Sequence, residues 1–356
     1  MQTYNPDYQP DYRHLLDCAR NREAKQLPLY EHIICNEVME EITGTRFAAL
    51  AEGDYKDKVE YYRRCCDFWR RMGYDTISME RCIVTVITGG VALCGRMPGP
   101  IQTREDFEAY PWDELPEKFY AMNEEHFRAL AEAMPAGMKA VGGVGNGVLE
   151  TAEELVGYTP LCYMSADDPE LYADLFRRIG DTLETVWNRF LHREYSDAFC
   201  VCRIGDDLGY KSNTLISTAD IRGHIIPGYR RVINAVHRAG KPFLLHSCGC
   251  IFSVMDDLIA AGIDAKHSNE DQIAGFPYWV ETYGDRIGNF GGIDTDCVCR
   301  LSKPELREYI SDVVARCTGH GGFAFGSGNS IPDYVPAENF VAMNDIIREL
   351  RGEVRG

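Results

Sequence analysis

Pro242-Phe243-Leu244-Leu245-His246-Ser247-Cys248-Gly249 is an apolar run that ends in an imidazole, a hydroxyl and a thiol. A short continuous apolar run bounded by Pro and Gly is the pattern of a strand covered on both faces. Upstream, Ile221, Ile225, Tyr229, Val232, Ile233 and Val236 recur at helical spacing until Gly240, with Pro227 inside the stripe, where it should kink or split the helix. Downstream, Val254, Met255, Leu258 and Ile259 mark a short helix closed by Gly262, and residues 265–267 form the next short strand. Strands that alternate with helices pair in parallel, because each crossover returns the chain to the same edge.

The same alternation extends over the chain. Strands are expected at residues 27–33, 75–82, 138–143, 198–205, 242–246, 265–267, 287–292 and 322–327, which makes eight. Eight βα units and 356 residues suit a single (β/α)8 TIM barrel spanning 1–356, with its core at about 27–350. An N-terminal extension precedes the first strand. A long insertion after strand 2, about 83–139, carries Gly95-Arg96-Met97-Pro98-Gly99-Pro100 and Pro111-Trp112-Asp113 and should shape the substrate site. Ser302-Lys303-Pro304-Glu305 is a capping box, and the stripe from Leu306 to Val314 that follows it continues to Cys317, which should be buried.

Composition excludes several classes. The 55 acids outnumber the 37 bases, giving a net charge of −18, so no nucleic-acid or anionic-membrane partner is expected. No apolar run is long enough to span a membrane. The 14 cysteines follow no signal peptide and include no CxxC pair, which suggests a reducing, cytoplasmic setting and argues against a zinc ribbon.

In a parallel barrel the chemistry sits at the C-terminal strand ends. Those ends carry Glu31 and His32, Glu80, Asn146, Asp206 and Asp207, His246 and Cys248, His267 and Ser268, Asp294, and Ser327 with Asn329. His246 and Cys248 two apart near a strand end can point the same way, and imidazole with thiolate suits zinc, but two ligands do not complete a site. Asp206-Asp207-Leu208-Gly209 offers proton handling or a cation-binding group, or simply a turn with a helix start. Val141-Gly142-Gly143-Val144-Gly145-Asn146-Gly147 is too isolated to argue for a nucleotide, since Asp168-Pro169 downstream reads as a helix start.

The chain resembles the uroporphyrinogen decarboxylase superfamily at His246-Ser247-Cys248-Gly249, Asp206-Asp207-Leu208-Gly209, Pro227-Gly228-Tyr229, His237-Arg238-Ala239-Gly240-Lys241-Pro242, Gly291-Gly292-Ile293-Asp294 and Pro336-Ala337-Glu338-Asn339. It is most similar to the corrinoid-dependent, methylcobamide:coenzyme M type methyltransferase branch. That resemblance implies a single barrel and zinc held by His246 and Cys248. It also implies a methylcorrinoid carried on a corrinoid-binding partner protein, and a small-molecule methyl acceptor. In that branch a further Cys from the last strand's loop completes the ligands, whereas this chain has Asn329 there; Cys250, Cys297, Cys299 or Glu80 are the candidate replacements. The implied activity is methyl transfer between a corrinoid protein and a thiol or other small acceptor, in the service of demethylation. The expected catalytic residues are Asp207, His246, Cys248 and Asn329. Glu31, Glu80, Asn146, Asp206, His267 and Ser327 are expected to bind substrate. A homodimer is compatible with this reading. The alternatives are a tetrapyrrole decarboxylase, for which the acidic segment Glu31 to Glu41 is ill suited because cations are needed there, and a non-catalytic corrinoid- or tetrapyrrole-binding accessory protein.

Overall fold

The structure, a computed structural model, describes residues 5, 7–90 and 98–353, so Gly95, Arg96 and Met97 lie outside the described residues. Seven strands form one parallel sheet in sequential order: β1 (Thr76–Cys82), β2 (Lys139–Gly145), β3 (Phe199–Gly205), β4 (Phe243–His246), β5 (Ala265–His267), β6 (Gly288–Ile293) and β7 (Phe323–Ser327). The sheet is α/β and TIM-barrel-like, but the expectation of eight strands needs correcting. Residues 27–35 are not a strand. They touch β7 and its loop through two isolated parallel bridges, Leu29 with Phe325 and Ile34 with Ile331.

The interruption has a local cause. Between the two bridges the Ser327 N–H donates to the Glu31 carboxylate at 3.0 Å, so a side chain takes a donor that a continuous ladder would use. On the other side Ser78 of β1 reaches the Glu31 carbonyl through its hydroxyl. Tyr30 meets His267 and Phe290 edge-on, with ring centroids 5.1 and 4.9 Å apart. The segment therefore stands between β7 and β1 and curls the sheet around its own side chains.

Two apolar layers result. The inner one gathers Tyr30, Val141, Val201, Leu244, Ala265, Phe290 and Ala324 from successive strands. Helix Arg13–Ala19 of the N-terminal extension adds Leu15, Cys18 and Ala19 to it, which fills the end of the barrel away from the strands' C-termini. Asp75 ties that extension to β1 by accepting from Tyr8 Oη at 2.7 Å and from the Asp11 N–H at 2.8 Å. The outer layer lies between strands and helices, and Cys317 is fully buried in it at the end of helix Lys303–Cys317.

Local chemistry places the helix ends. The Ser302 N–H donates to Glu305 at 2.8 Å, closing the capping box, and Asp168 caps helix Pro169–Leu191 through the Leu171 N–H at 2.9 Å. Pro227 coincides with a change of helix type and not with a break: a π turn, Ile221–Ile225, runs directly into helix Ile226–Arg238, with Ile225 and Ile226 both right-handed helical, and Pro227 lies in the first turn after the change. The described end of the long insertion docks on helix Val148–Val156, with the Ile101 N–H donating to the Leu155 carbonyl at 2.9 Å. At Gly142 φ is +142°, and a Cβ there would lie 1.9 Å from the Met79 carbonyl oxygen, so the Gly-rich turn serves close strand contact. Among the described residues no helix is long and apolar enough to cross a membrane, and the described cysteines are free thiols.

Candidate active site

Register assembles the site. Gly205 of β3 pairs with His246 of β4, which pairs with His267 of β5. Two residues beyond that row, Asp207 and Cys248 face each other, and the Cys248 N–H donates to Asp207 Oδ1 at 2.9 Å. His246 Nε2 lies 3.5 Å from Cys248 Sγ and 4.0 Å from Asp207 Oδ1. Asn329, from the loop after β7, donates through Nδ2 to Cys248 Sγ at 3.3 Å, and the Ser268 hydroxyl lies 3.8 Å from the same sulfur. Burial, with the Asp207 charge second, pushes the Cys248 thiol up to about 12, so it holds its proton in this environment.

Behind this group lies a layer of imidazoles. His246 Nδ1 is 2.7 Å from His267 Nδ1, and His267 Nε2 is 3.2 Å from the Ser327 carbonyl oxygen. His32 stacks on His246 at 3.7 Å and 9°. Its Nδ1 is buried without a hydrogen-bond partner among the described residues. Burial lowers His246 and His32 well below their usual range and His267 to about 3. Either of two trios, His32 with His246 and His267, or Asp207 with His246 and Cys248, has ligand atoms within 4.8 Å of one another and could hold a metal ion. The candidate third ligands Cys250, Cys297, Cys299 and Glu80 join neither trio. Cys297 lies instead 3.9 Å from Asp271.

Glu80 is engaged by Arg203, whose wholly buried guanidinium donates to it from Nε at 3.1 Å and Nη2 at 2.9 Å. Arg203 also donates to Tyr30 Oη at 2.8 Å and to the His32 carbonyl at 3.0 Å. Glu31, raised by burial to about 8, accepts from Ser327 through both its N–H and its hydroxyl. Asp206 is wholly buried at the start of helix Val148–Val156, where it accepts from the Leu149 N–H at 3.0 Å, the Glu150 N–H at 2.8 Å and Tyr229 Oη at 2.5 Å. Asn146, at φ +65°, donates to Glu150 at 2.7 Å.

Of the residues expected from the sequence, Asp207, His246, Cys248 and Asn329 thus converge on one sulfur, and His267 stands directly behind them. Glu31 and Ser327 bond each other, Glu80 is paired with Arg203, and Asp206 and Asn146 adjoin helix Val148–Val156. Sequence reasoning named His32 as a strand-end residue but missed its stack on His246, and it missed Arg203 and Lys266. Lys266 is fully buried, lies 3.5 Å from the Trp279 ring centroid and is lowered by burial to about 7. A cation inside the otherwise apolar strand Phe199–Gly205 was the available signal for Arg203, whereas Lys266 lies in a three-residue strand beside His267 that gives none.

A family model described as uroporphyrinogen decarboxylase (URO-D) matches residues 66–350. Among solved structures, a methyltransferase from Methanosarcina mazei matches with a TM-score of 0.74 and 15% identity, over 95% of this chain and 98% of that one. At that identity the shared property is the fold. A B12-independent methionine synthase from Shewanella sp. W3-18-1 in complex with selenomethionine matches with a TM-score of 0.48 and 10% identity, over 83% of this chain and 89% of that one, too distant to carry an argument. No curated protein matches the chain.

Proposed function

This chain belongs to the uroporphyrinogen decarboxylase family, and within it we propose a methyltransferase that moves a methyl group between a corrinoid protein and a thiol or other small acceptor. The observation that carries the reading is the convergence of His246 Nε2, Cys248 Sγ and Asp207 on one point, with ligand atoms within 4.8 Å. Nitrogen, sulfur and carboxylate oxygen form a donor set that suits zinc and leaves a fourth position for substrate. Asp207 supplies the protein ligand that the expected cysteine would have given, because β3 and β4 are neighbours in register.

Zinc held by these residues supplies a Lewis acid that lowers the pKa of an incoming thiol. The chain's own groups do the rest. The Cys248 N–H donates to Asp207 Oδ1 at 2.9 Å and holds that oxygen 4.0 Å from His246 Nε2. Asn329 and Ser268 donate to the sulfur and stabilise charge on it.

The test is metal uptake followed by turnover. The purified chain dialysed against zinc should approach one zinc per chain, Cys248→Ala should abolish the uptake and Asp207→Asn should weaken it. Methylcobalamin with a simple thiol should then give the methyl thioether with native protein and not with Cys248→Ala. Decarboxylation of uroporphyrinogen, or a folded native chain that takes up no zinc, would sink the proposal.

A further inference from the structure

The His246–His267 contact has a direction, and the Ser327 carbonyl sets it. A carbonyl oxygen can only accept, so His267 must present an N–H from Nε2 across the 3.2 Å contact. Both rings are buried, the nitrogens of His267 meet only the other imidazole and a carbonyl among the described residues, and Asp207 Oδ1 stays 4.0 Å from His246 Nε2, beyond a hydrogen bond, so no carboxylate holds a second proton and each ring carries a single N–H. His267 Nδ1 is then a bare lone pair. Two lone pairs do not face each other at 2.7 Å, so the proton between the rings belongs to His246 Nδ1. His32, stacked at 3.7 Å and nearly parallel, keeps the His246 ring from turning out of this plane.

We infer that His267 is a positioning residue: with the Ser327 carbonyl it fixes the His246 proton on Nδ1 and leaves Nε2 bare toward Cys248 and Asp207. Metal-binding histidines usually have the second nitrogen oriented by a carboxylate or carbonyl. Here a second imidazole stands in between and passes the polarity of a backbone carbonyl along the row. The arrangement needs no charge inside the barrel, so it avoids the cost of burying a carboxylate there. The relay is a property of the free protein. It rests on the proposed metal role of His246 only in the second readout below.

The experiment is a long-range proton–nitrogen correlation spectrum of the full-length protein labelled with ¹⁵N-histidine, with zinc affinity measured in parallel. In the native chain His246 should be the Nδ1–H tautomer. His267→Phe removes the acceptor and should return His246 to Nε2–H. His267→Gln supplies an amide donor for Ser327 and an oxygen for His246, and should keep Nδ1–H. Zinc should bind about 10–100-fold more weakly to the Phe variant and near the native level to the Gln variant. Native His246 protonated on Nε2 overturns the inference, as does Nδ1–H retained in a folded His267→Phe protein. Should the Phe variant fail to fold, the native spectrum and the Gln variant still decide. The expected tautomer in a native chain that takes up no zinc would support the relay while overturning the metal reading.

Discussion

Cys248 and Cys317 show how environment separates two identical side chains. Both thiols are raised to about 12 by burial, yet Cys248 touches Asn329, His246 and Ser268, whereas Cys317 sits in the apolar layer. Native thiol labelling should modify the exposed Cys162 first and leave Cys317, Cys65 and Cys66 unmodified until unfolding. Rapid loss of free Cys317 would show that its helix packs in another register. Glu40 makes a second prediction at this scale. It is held down to about 2 by the N–H groups of Ala48 and Phe47 and by Arg46. A carboxyl lowered on folding stabilises the protein above its ordinary value of 4.5, and that contribution fades as pH falls toward 2. Glu40→Gln should therefore be less stable than the native chain at pH 7, and the gap in urea midpoint should close as pH falls from 4.5 toward 2. A gap that widens on acidification would refute the assignment.

At the scale of elements, Asp206 is informative because it serves a helix to which it does not belong in sequence. Its carboxylate satisfies two N–H groups at the start of helix Val148–Val156 and also accepts from Tyr229 Oη. Asp206→Ala leaves those three donors without it, and a lost cap together with buried unpaired donors should cost about 2–4 kcal/mol in urea unfolding. A change below about 0.5 kcal/mol would mean that water replaces it. The sequence pattern predicted a functional strand end here and could not separate Asp206 from Asp207. Adjacent residues at a strand end point to opposite sides, and only the position of β4 and of the neighbouring helix tells which side holds Cys248. The first expected strand failed for a related reason. Residues 27–33 look like a strand in sequence, but the Glu31 carboxylate takes the Ser327 N–H and breaks the ladder.

Across the whole molecule, Arg203 joins parts of the chain far apart in sequence. It bonds Glu80 of β1, Tyr30 and the carbonyl of His32 from the N-terminal segment. It thus closes the side of the barrel that lacks a continuous ladder. Arg203→Met leaves the Glu80 carboxylate without its buried partner and should cost about 3–5 kcal/mol. Adding Glu80→Gln should recover part of that loss, because the uncompensated charge is gone. A double variant less stable than Arg203→Met alone would show that the pair is not the source of the effect.

The sequence by itself determined the parallel βα order, seven of the strands, the helix irregularity next to Pro227, the caps at Asp168 and Ser302, and the His246–Cys248 pair. Each rests on near-neighbour spacing, which a helix or strand converts directly into a face or an end. The tertiary structure decided which residues complete the site. Asp207 stands beside Cys248 because β3 lies beside β4, His267 stands behind His246 because β5 lies on the other side, and Arg203 pairs with Glu80. Those choices are contacts between residues distant along the chain, set by register and burial, and no local pattern encodes them.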